Sequence, residues 1–188
     1  MLFHNASQIA SGTGRQHLDG LRSLKSQGLV NKIGFSAYQI DEIEHALKYF
    51  SDLDIIQVPG NALDFRILDS SVLKDLVSRG VEIHVRSVFL QGLLLADAAS
   101  ISKSQHSILT NTLESVSCEA KSSNQSVIQF LLNQIRSHPN VTSVVIGAST
   151  AHELREIVKA WNDPAVNAPR ITHDLNYEDL DPRNWVKG

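Results

Sequence analysis

The chain has 188 residues, 42% hydrophobic and 20% charged, which suits a globular domain with a sizeable core. A net charge of −3 and a pI near 6.2 leave no electrostatic footprint for nucleic acid or an anionic membrane, and no stretch approaches the ~18 uninterrupted apolar residues of a membrane span. The single cysteine, Cys118, excludes an internal disulfide and fits a cytoplasmic location.

Met1-Leu2-Phe3-His4 carries no basic, apolar leader pattern, so no signal peptide is expected. Leu2 to Ala6 reads as a strand and Ser7 to Arg15 as a polar Gly/Ser loop. Gln16 to Gln27 reads as a helix with Leu18, Leu21 and Leu24 inward and Gly28 as its stop. Lys32 to Tyr38 is a strand. Asp41 is placed to cap a helix whose Ile43, Ala46, Leu47 and Phe50 share one face. Asp54 to Val58 is a short buried strand closed by Pro59-Gly60. Ser70 to Arg79 is a helix and Val81 to Phe89 a strand. Two helices, Gln105 to Lys121 and Gln125 to Ser137, are separated by Ser122, Ser123 and Asn124, and Cys118 is read as a packing residue of the first. The chain reads as one domain over 1–188, in which residues 162–188 form a surface-wrapping tail.

Val141 to Val158 has the most organised pattern. A β-branched run to Ile146 meets the small corner Gly147-Ala148-Ser149-Thr150, and a helix follows with Leu154, Ile157, Val158 and Trp161 at i, i+3, i+4 and i+7. Strand, small corner and helix start together present free N–H groups to an anion, so the corner is either a phosphate site or an ordinary βα turn. The eight histidines are scattered; His152-Glu153 opens a zinc-binding pattern that Glu156 breaks.

Regular βα alternation means a parallel sheet flanked by helices, either flavodoxin-like or part of a βα barrel. In the fourth strand Glu82, His84 and Arg86 fall on one face and Val81, Ile83 and Val85 on the other. Strands of an open α/β sheet are apolar on both faces, whereas polar groups on one face suit a barrel lumen. His84 and Gln57 are read as lumen residues, and Gln57 is a candidate for a site as well.

The segments KIGFSAYQIDEIEHAL, DIIQVPGNALD, VEIHVRSVFLQGLLL and SVVIGASTAHELREIV resemble, in order, consecutive segments of the aldo-keto reductase family. The resemblance runs from Leu2 to Trp161. It implies a partial (β/α)8 TIM barrel whose strands correspond to the fourth through eighth. It also implies reduction of an aldehyde or ketone with NADP(H) or NAD(H), in which hydride leaves the nicotinamide and a tyrosine protonates the forming alkoxide.

Carried over by motif, His4 matches the family's carbonyl-orienting histidine. Ser36 and Gln57 match the partners of the nicotinamide carboxamide. Arg86 stands where many members stack a tyrosine on the nicotinamide, and arginine can also stack. Ser87, Phe89 and Gln91 lie where pyrophosphate and ribose pass, and Gly147, Ala148 and Ser149 match the adenosine-phosphate corner. Glu156 matches an adenine contact, with Ile157 in place of the usual asparagine. Glu153 replaces the arginine of many NADPH users.

The family's catalytic tyrosine, lysine and aspartate lie on segments before the fourth strand and have no matching positions among these residues. The expectation is therefore a truncated reductase portion, inactive alone. It would bind a nicotinamide dinucleotide and, in a complete barrel, a small carbonyl substrate. Unpaired strand edges would favour self-association. A non-catalytic nucleotide-binding or regulatory module, or a scaffold fragment, are the alternatives.

Overall fold

The computed structural model describes residues 1–96, 107–164, 169–178 and 180–181, with backbone alone at 107–109. The chain forms two compact units. The first comprises Met1–Pro59, Arg66–Arg86 and Asn140–Val144, and the second Gly60–Phe65, Ser87–Pro139 and Val145–Gly188.

The first unit is built on a parallel sheet of β1 (Leu2–Phe3), β2 (Gly34–Ser36), β3 (Ile55–Pro59), β4 (Glu82–Arg86) and β5 (Ser143–Val144), ordered β1-β2-β3-β4-β5. A flavodoxin-like sheet reverses its strand order at a switch point. This sheet never reverses, so it is the singly wound arrangement of a partial (β/α)8 barrel. Helices α1 (Gly12–Ser26), α2 (Ile40–Leu47) and α3 (Ser71–Ser78) supply the crossovers.

Register fixes the two faces of the sheet. Ser36, Gln57, His84 and Ser143 form one row across four strands, because each pairs directly with the next. On the opposite face Phe35, Ile56, Ile83 and Val85 are fully buried. The alternation expected for the fourth strand is therefore realised, with apolar residues packed away and polar ones in a row on the other face. Phe35 and Phe50 meet at a 6.0 Å ring separation, and Ile43, Leu73 and Leu76 complete the buried layer.

Several element bounds differ from expectation. The Gly/Ser loop is instead the first turn of α1, because Ser11 accepts a hydrogen bond from the Gly14 N–H at 2.9 Å and so caps the helix. Gly14 makes this possible: a Cβ there would overlap the Gln8 carbonyl. β1 ends at Phe3, and a short 3-10 turn, Ala6–Gln8, follows it. α2 starts before Asp41, with Gln39 at its N-cap; the Glu42 carboxylate reaches back to the Tyr38 and Gln39 N–H groups at 2.6 and 3.2 Å. β4 stops at Arg86, because Ser87 takes a left-handed conformation (φ 63°). β5 spans two residues only. Its pairing extends through Thr142, whose N–H donates to the Ile83 carbonyl while its hydroxyl accepts from the Ile83 N–H.

Ion pairs tie the sheet to its flanks. Arg22 pairs with Asp52 at 2.6 Å, Lys25 with Asp54 at 2.6 Å, and Lys32 with Glu82. The Arg22 hydrogen bond holds the Asp52 carboxyl below the usual carboxylate range, and the Lys32 hydrogen bond does the same for Glu82. At Asp54 burial pushes the pKa up, but hydrogen bonds from Lys25 and the Ile33 N–H together outweigh it and the net shift is downward.

The second unit is helical. A 3-10 segment, Leu90–Leu95, precedes α4 (Ser107–Ser122), α5 (Val127–Arg136) and α6 (Ala151–Asn162). The first residues of the expected Gln105–Lys121 helix lie outside the described residues. α5 is the central helix, with Phe130, Leu131, Leu132 and Ile135 fully buried. Arg136 clamps it to α6 by donating to the carbonyls of Trp161 and Asp163 while its guanidinium lies 5.4 Å from the Trp161 ring. Cys118 is exposed; the packing role expected for it falls to Val116 and Ala120 of the same helix. Leu154 and Val158 of α6 are also exposed, at 53% and 48%. Among the described residues no helix is long and apolar enough to cross a membrane, and no cluster of three His, Cys, Asp or Glu could hold a metal ion.

Candidate functional site

In the first unit, residues at the carboxyl ends of β2, β3 and β4 converge. Ser36 ends β2, 7% exposed, and its hydroxyl lies 3.5 Å from the Gln57 side-chain oxygen. Arg86 ends β4. Its Nε donates to the Ser36 hydroxyl at 3.4 Å and its Nη2 to the Ala37 carbonyl at 3.3 Å. The guanidinium stacks on Tyr38, 3.9 Å from the ring centroid. This places a hydroxyl, an amide and a fixed planar cation together, a donor and acceptor set complementary to a carboxamide. Tyr38 was not anticipated as part of this cluster. Its signal was the residue type alone, an aromatic two positions beyond Ser36.

His4 stands one residue beyond the Phe3–Phe35 pair of β1 and β2. It follows β1 and lines an open groove of about 820 Å³ beside α1, together with Asn5, Gln8, Gln16 and His17. Phe3 and His17 face one another there at 6.0 Å.

The second unit holds a cleft of about 610 Å³. Ser87, Phe89 and Gln91 line one part, and Gly147, Ser149, Glu153 and Glu156 another, so these expected residues come together. Ala148 is exposed and does not line the cleft. Sequence reading missed the apolar wall of Val88, Leu95, Ile128, Val145 and Ile146, whose only signal was hydrophobicity. The entry turn is backbone-specific. Leu90 and Gln91 take left-handed conformations (φ 48° and 55°), and Gly92 (φ 88°) supplies the residue that tolerates this best.

The corner after β5 is ordered by its own side chains. Thr150 caps α6 by accepting from the Glu153 N–H at 3.1 Å. In return the Glu153 carboxylate accepts from the N–H groups of Ser149 at 2.7 Å and Thr150 at 3.3 Å. This reciprocal pair is a capping box, legible in the sequence as Thr-x-x-Glu. Gly147 has open space where a Cβ would sit.

An apolar wall, neutral donors from Ser87, Gln91 and Ser149, and carboxylates able to accept from hydroxyls fit a base and a ribose. The volume lies within the range of small-molecule sites. Among the described residues no Lys, Arg or His lines the cleft.

No curated protein matches the chain. Among solved structures it is similar to the apo form of an aldo-keto reductase from Bacillus halodurans, with TM-score 0.67 and 20% identity over 87% of this chain and 56% of that one. It is similar to a thermostable aldo-keto reductase in complex with the inhibitor epalrestat, with TM-score 0.56 and 22% identity over 76% and 47%. A glycerol dehydrogenase from Gluconobacter oxydans follows, with TM-score 0.59 and 15% identity over 78% and 48%. The chain spans about half the length of these structures. At such identities the likeness establishes the fold, and the strand order above agrees with it. The model of the aldo/keto reductase family matches residues 11–168, and by that match the chain belongs to this family.

Proposed function

We propose that the chain is the nicotinamide-dinucleotide-binding portion of an oxidoreductase that reduces an aldehyde or ketone with NADH or NADPH. The supporting observation is the 610 Å³ cleft, which gathers Ser87, Phe89, Gln91, Gly147, Ser149, Glu153 and Glu156, residues that the family motifs single out independently of the fold. When bound, the dinucleotide supplies the hydride. Within the first unit, taken by itself, Ser36 and Gln57 suit hydrogen bonds to a carboxamide, and Arg86, fixed on Tyr38, offers a flat cationic surface for stacking. Ser87, Gln91 and Ser149 donate to the nucleotide, while Glu156 accepts from its polar hydrogens. His4 orients the carbonyl oxygen by a hydrogen bond. Turnover requires the family's tyrosine, lysine and aspartate, so the chain binds nucleotide without reducing a carbonyl unless those groups are supplied. Among the described residues β1 and β5 are the outermost strands of the sheet, and such edges are expected to promote self-association.

Titration of NADH and NADPH, followed by nucleotide fluorescence, tests this reading. Saturable binding by at least one nucleotide, weakened about tenfold by Ser149→Ala combined with Glu156→Ala, is expected from the loss of two hydrogen bonds. No binding at millimolar nucleotide would overturn the reading. Binding with no turnover of an added aldehyde is the expected result for the chain alone.

A further inference from the structure

We infer that residues 169–173 are a detachable strap: an extended piece of chain that seats on the loop Gly60–Phe65 of the second unit, fastens that loop, and is balanced to come away without unfolding α5. The inference stands apart from the nucleotide reading, since neither the strap nor its seat lines the 610 Å³ cleft.

The strap, the loop and the end of α5 all belong to the second unit. The Gln134 side-chain amide donates from α5 to the Pro169 carbonyl at 3.1 Å. The Arg170 guanidinium lies 4.1 Å from the centroid of the Phe65 ring, and that ring also stacks on His138 at 6.0 Å. His173 Nε2 lies 2.7 Å from the Leu63 carbonyl. A carbonyl only accepts, so Nε2 carries the proton. Beyond Arg170, Ile171, His173, Leu175 and Tyr177 are half-buried, whereas Thr172, Asp174 and Asn176 between them are exposed. Such alternation is that of an extended chain with one side laid on a surface.

The seat is apolar and closes on itself. Leu63 and Phe65 are 6% and 8% exposed. Asn61 and Asp64 exchange backbone hydrogen bonds at 3.3 and 3.0 Å, and the Asn61 side-chain oxygen accepts from the Leu63 N–H at 2.9 Å. These bonds shape the turn, while Arg170, His173 and His138 fasten it to the strap and to α5.

The balance comes from what seating costs. His173 Nδ1 is buried and has no hydrogen-bond partner. Seating therefore strips water from that nitrogen and returns nothing, which offsets much of what the bond through Nε2 contributes. Arg170 is itself exposed, so its contact with Phe65 is of the weaker, solvated kind. α5, by contrast, has Phe130, Leu131, Leu132 and Ile135 fully buried. Segments with few buried contacts open at a much lower free energy than such a helix, and strap and loop should open together because each supplies the other's contacts.

Hydrogen exchange and limited trypsin digestion of the full chain test this. In the unmodified chain the amides of Asn61, Leu63 and Asp64 should exchange at least about tenfold faster than those of Phe130 to Ile135. Arg170→Ala combined with His173→Ala should speed the loop amides a further tenfold or so and leave α5 and β3 unchanged. Thr172→Ala, at the exposed position between them, should change nothing. The dependence should also run in reverse. Phe65→Leu, which keeps the seat apolar but removes the ring, should speed trypsin cleavage after Arg170 about fivefold. Loop exchange that is unaltered in the double variant would overturn the inference. So would acceleration shared equally by the loop, α5 and β3, which would make the strap part of one cooperative core. Cleavage after Arg170 that ignores Phe65→Leu would overturn it as well.

Discussion

The guanidinium of Arg86 lies flat over the ring of Tyr38, 3.9 Å from its centroid, and so joins the end of β4 to the residue two positions beyond the end of β2. Stacking holds the cation in place while Nε and Nη2 reach Ser36 and the Ala37 carbonyl. A double-mutant cycle of Arg86→Ala and Tyr38→Ala, followed by urea unfolding, should give a coupling energy of about 1 kcal/mol, the scale of a half-buried cation–π pair. Arg86→Lys should recover only part of it, because an ammonium cannot stack as a plane. Additive effects of the two alanine substitutions would show that the stack contributes nothing.

Two glycines of α1 should respond oppositely to alanine. Gly14 lies against the Gln8 carbonyl, where a Cβ has no room, so Gly14→Ala should cost roughly 2 kcal/mol or more and shift the start of the helix. Gly20 sits in the exposed helix interior with nothing near its missing Cβ, so Gly20→Ala should stabilise by about 0.5–1 kcal/mol. Urea midpoints of the two variants, compared at constant m-value, check this pair.

Acid should destabilise the first unit more than its net charge suggests. Asp52, Asp54 and Glu82 all have folded-state pKa values below their ordinary ones, through Arg22 at Asp52, Lys25 and the Ile33 N–H at Asp54, and Lys32 at Glu82. The folded form therefore binds fewer protons than the unfolded form in this range. Their stabilisation is present in full above the ordinary carboxylate pKa and is lost as pH falls through the lowered folded values. Urea midpoints should fall between about pH 6 and about pH 3, and Asp52→Asn combined with Glu82→Gln should flatten the slope. An unchanged slope would mean that these pairs do not differ between the folded and unfolded states. The pairs are partly exposed, so added salt should also reduce the effect.

Leu154 and Val158 lie at i and i+4 on α6, both largely exposed. Leu154→Gln with Val158→Lys should change stability by less than about 0.5 kcal/mol, as expected for surface positions. If this stripe contributes to self-association, the same pair should lower the mass measured by sedimentation at high concentration. A large loss of stability would show that the stripe is packed in solution.

Much was legible in the chain because short-range chemistry wrote it there. The βα alternation, the polar row of β4 and the Thr-x-x-Glu cap follow from spacing, since side chains repeat every two residues in a strand and about every 3.6 in a helix. The segment motifs carried the family relationship. The bounds that failed were those set by distant partners. Ser11 to Gly14 became helix because the absence of a side chain at Gly14 lets α1 close against Gln8. β5 kept two residues because a strand extends only where a neighbour accepts its ladder. Cys118 and Leu154 look like core residues from their chemistry, but burial depends on which helix faces reach α5, and theirs do not bury them.

The sequence by itself determined which βα units form, in what order, and which residue types stand at the strand ends and at the α6 corner. Only the tertiary structure decided that Arg86 would lie on Tyr38 and that seven separated residues would line one cleft. It also decided that the anion-ready N–H groups of α6 would be taken by Glu153. The physical reason is range. Propensity, capping pattern and alternation act within a few residues, whereas the partner of a guanidinium, the wall of a cleft and the use of a free donor depend on chain segments brought together by burial.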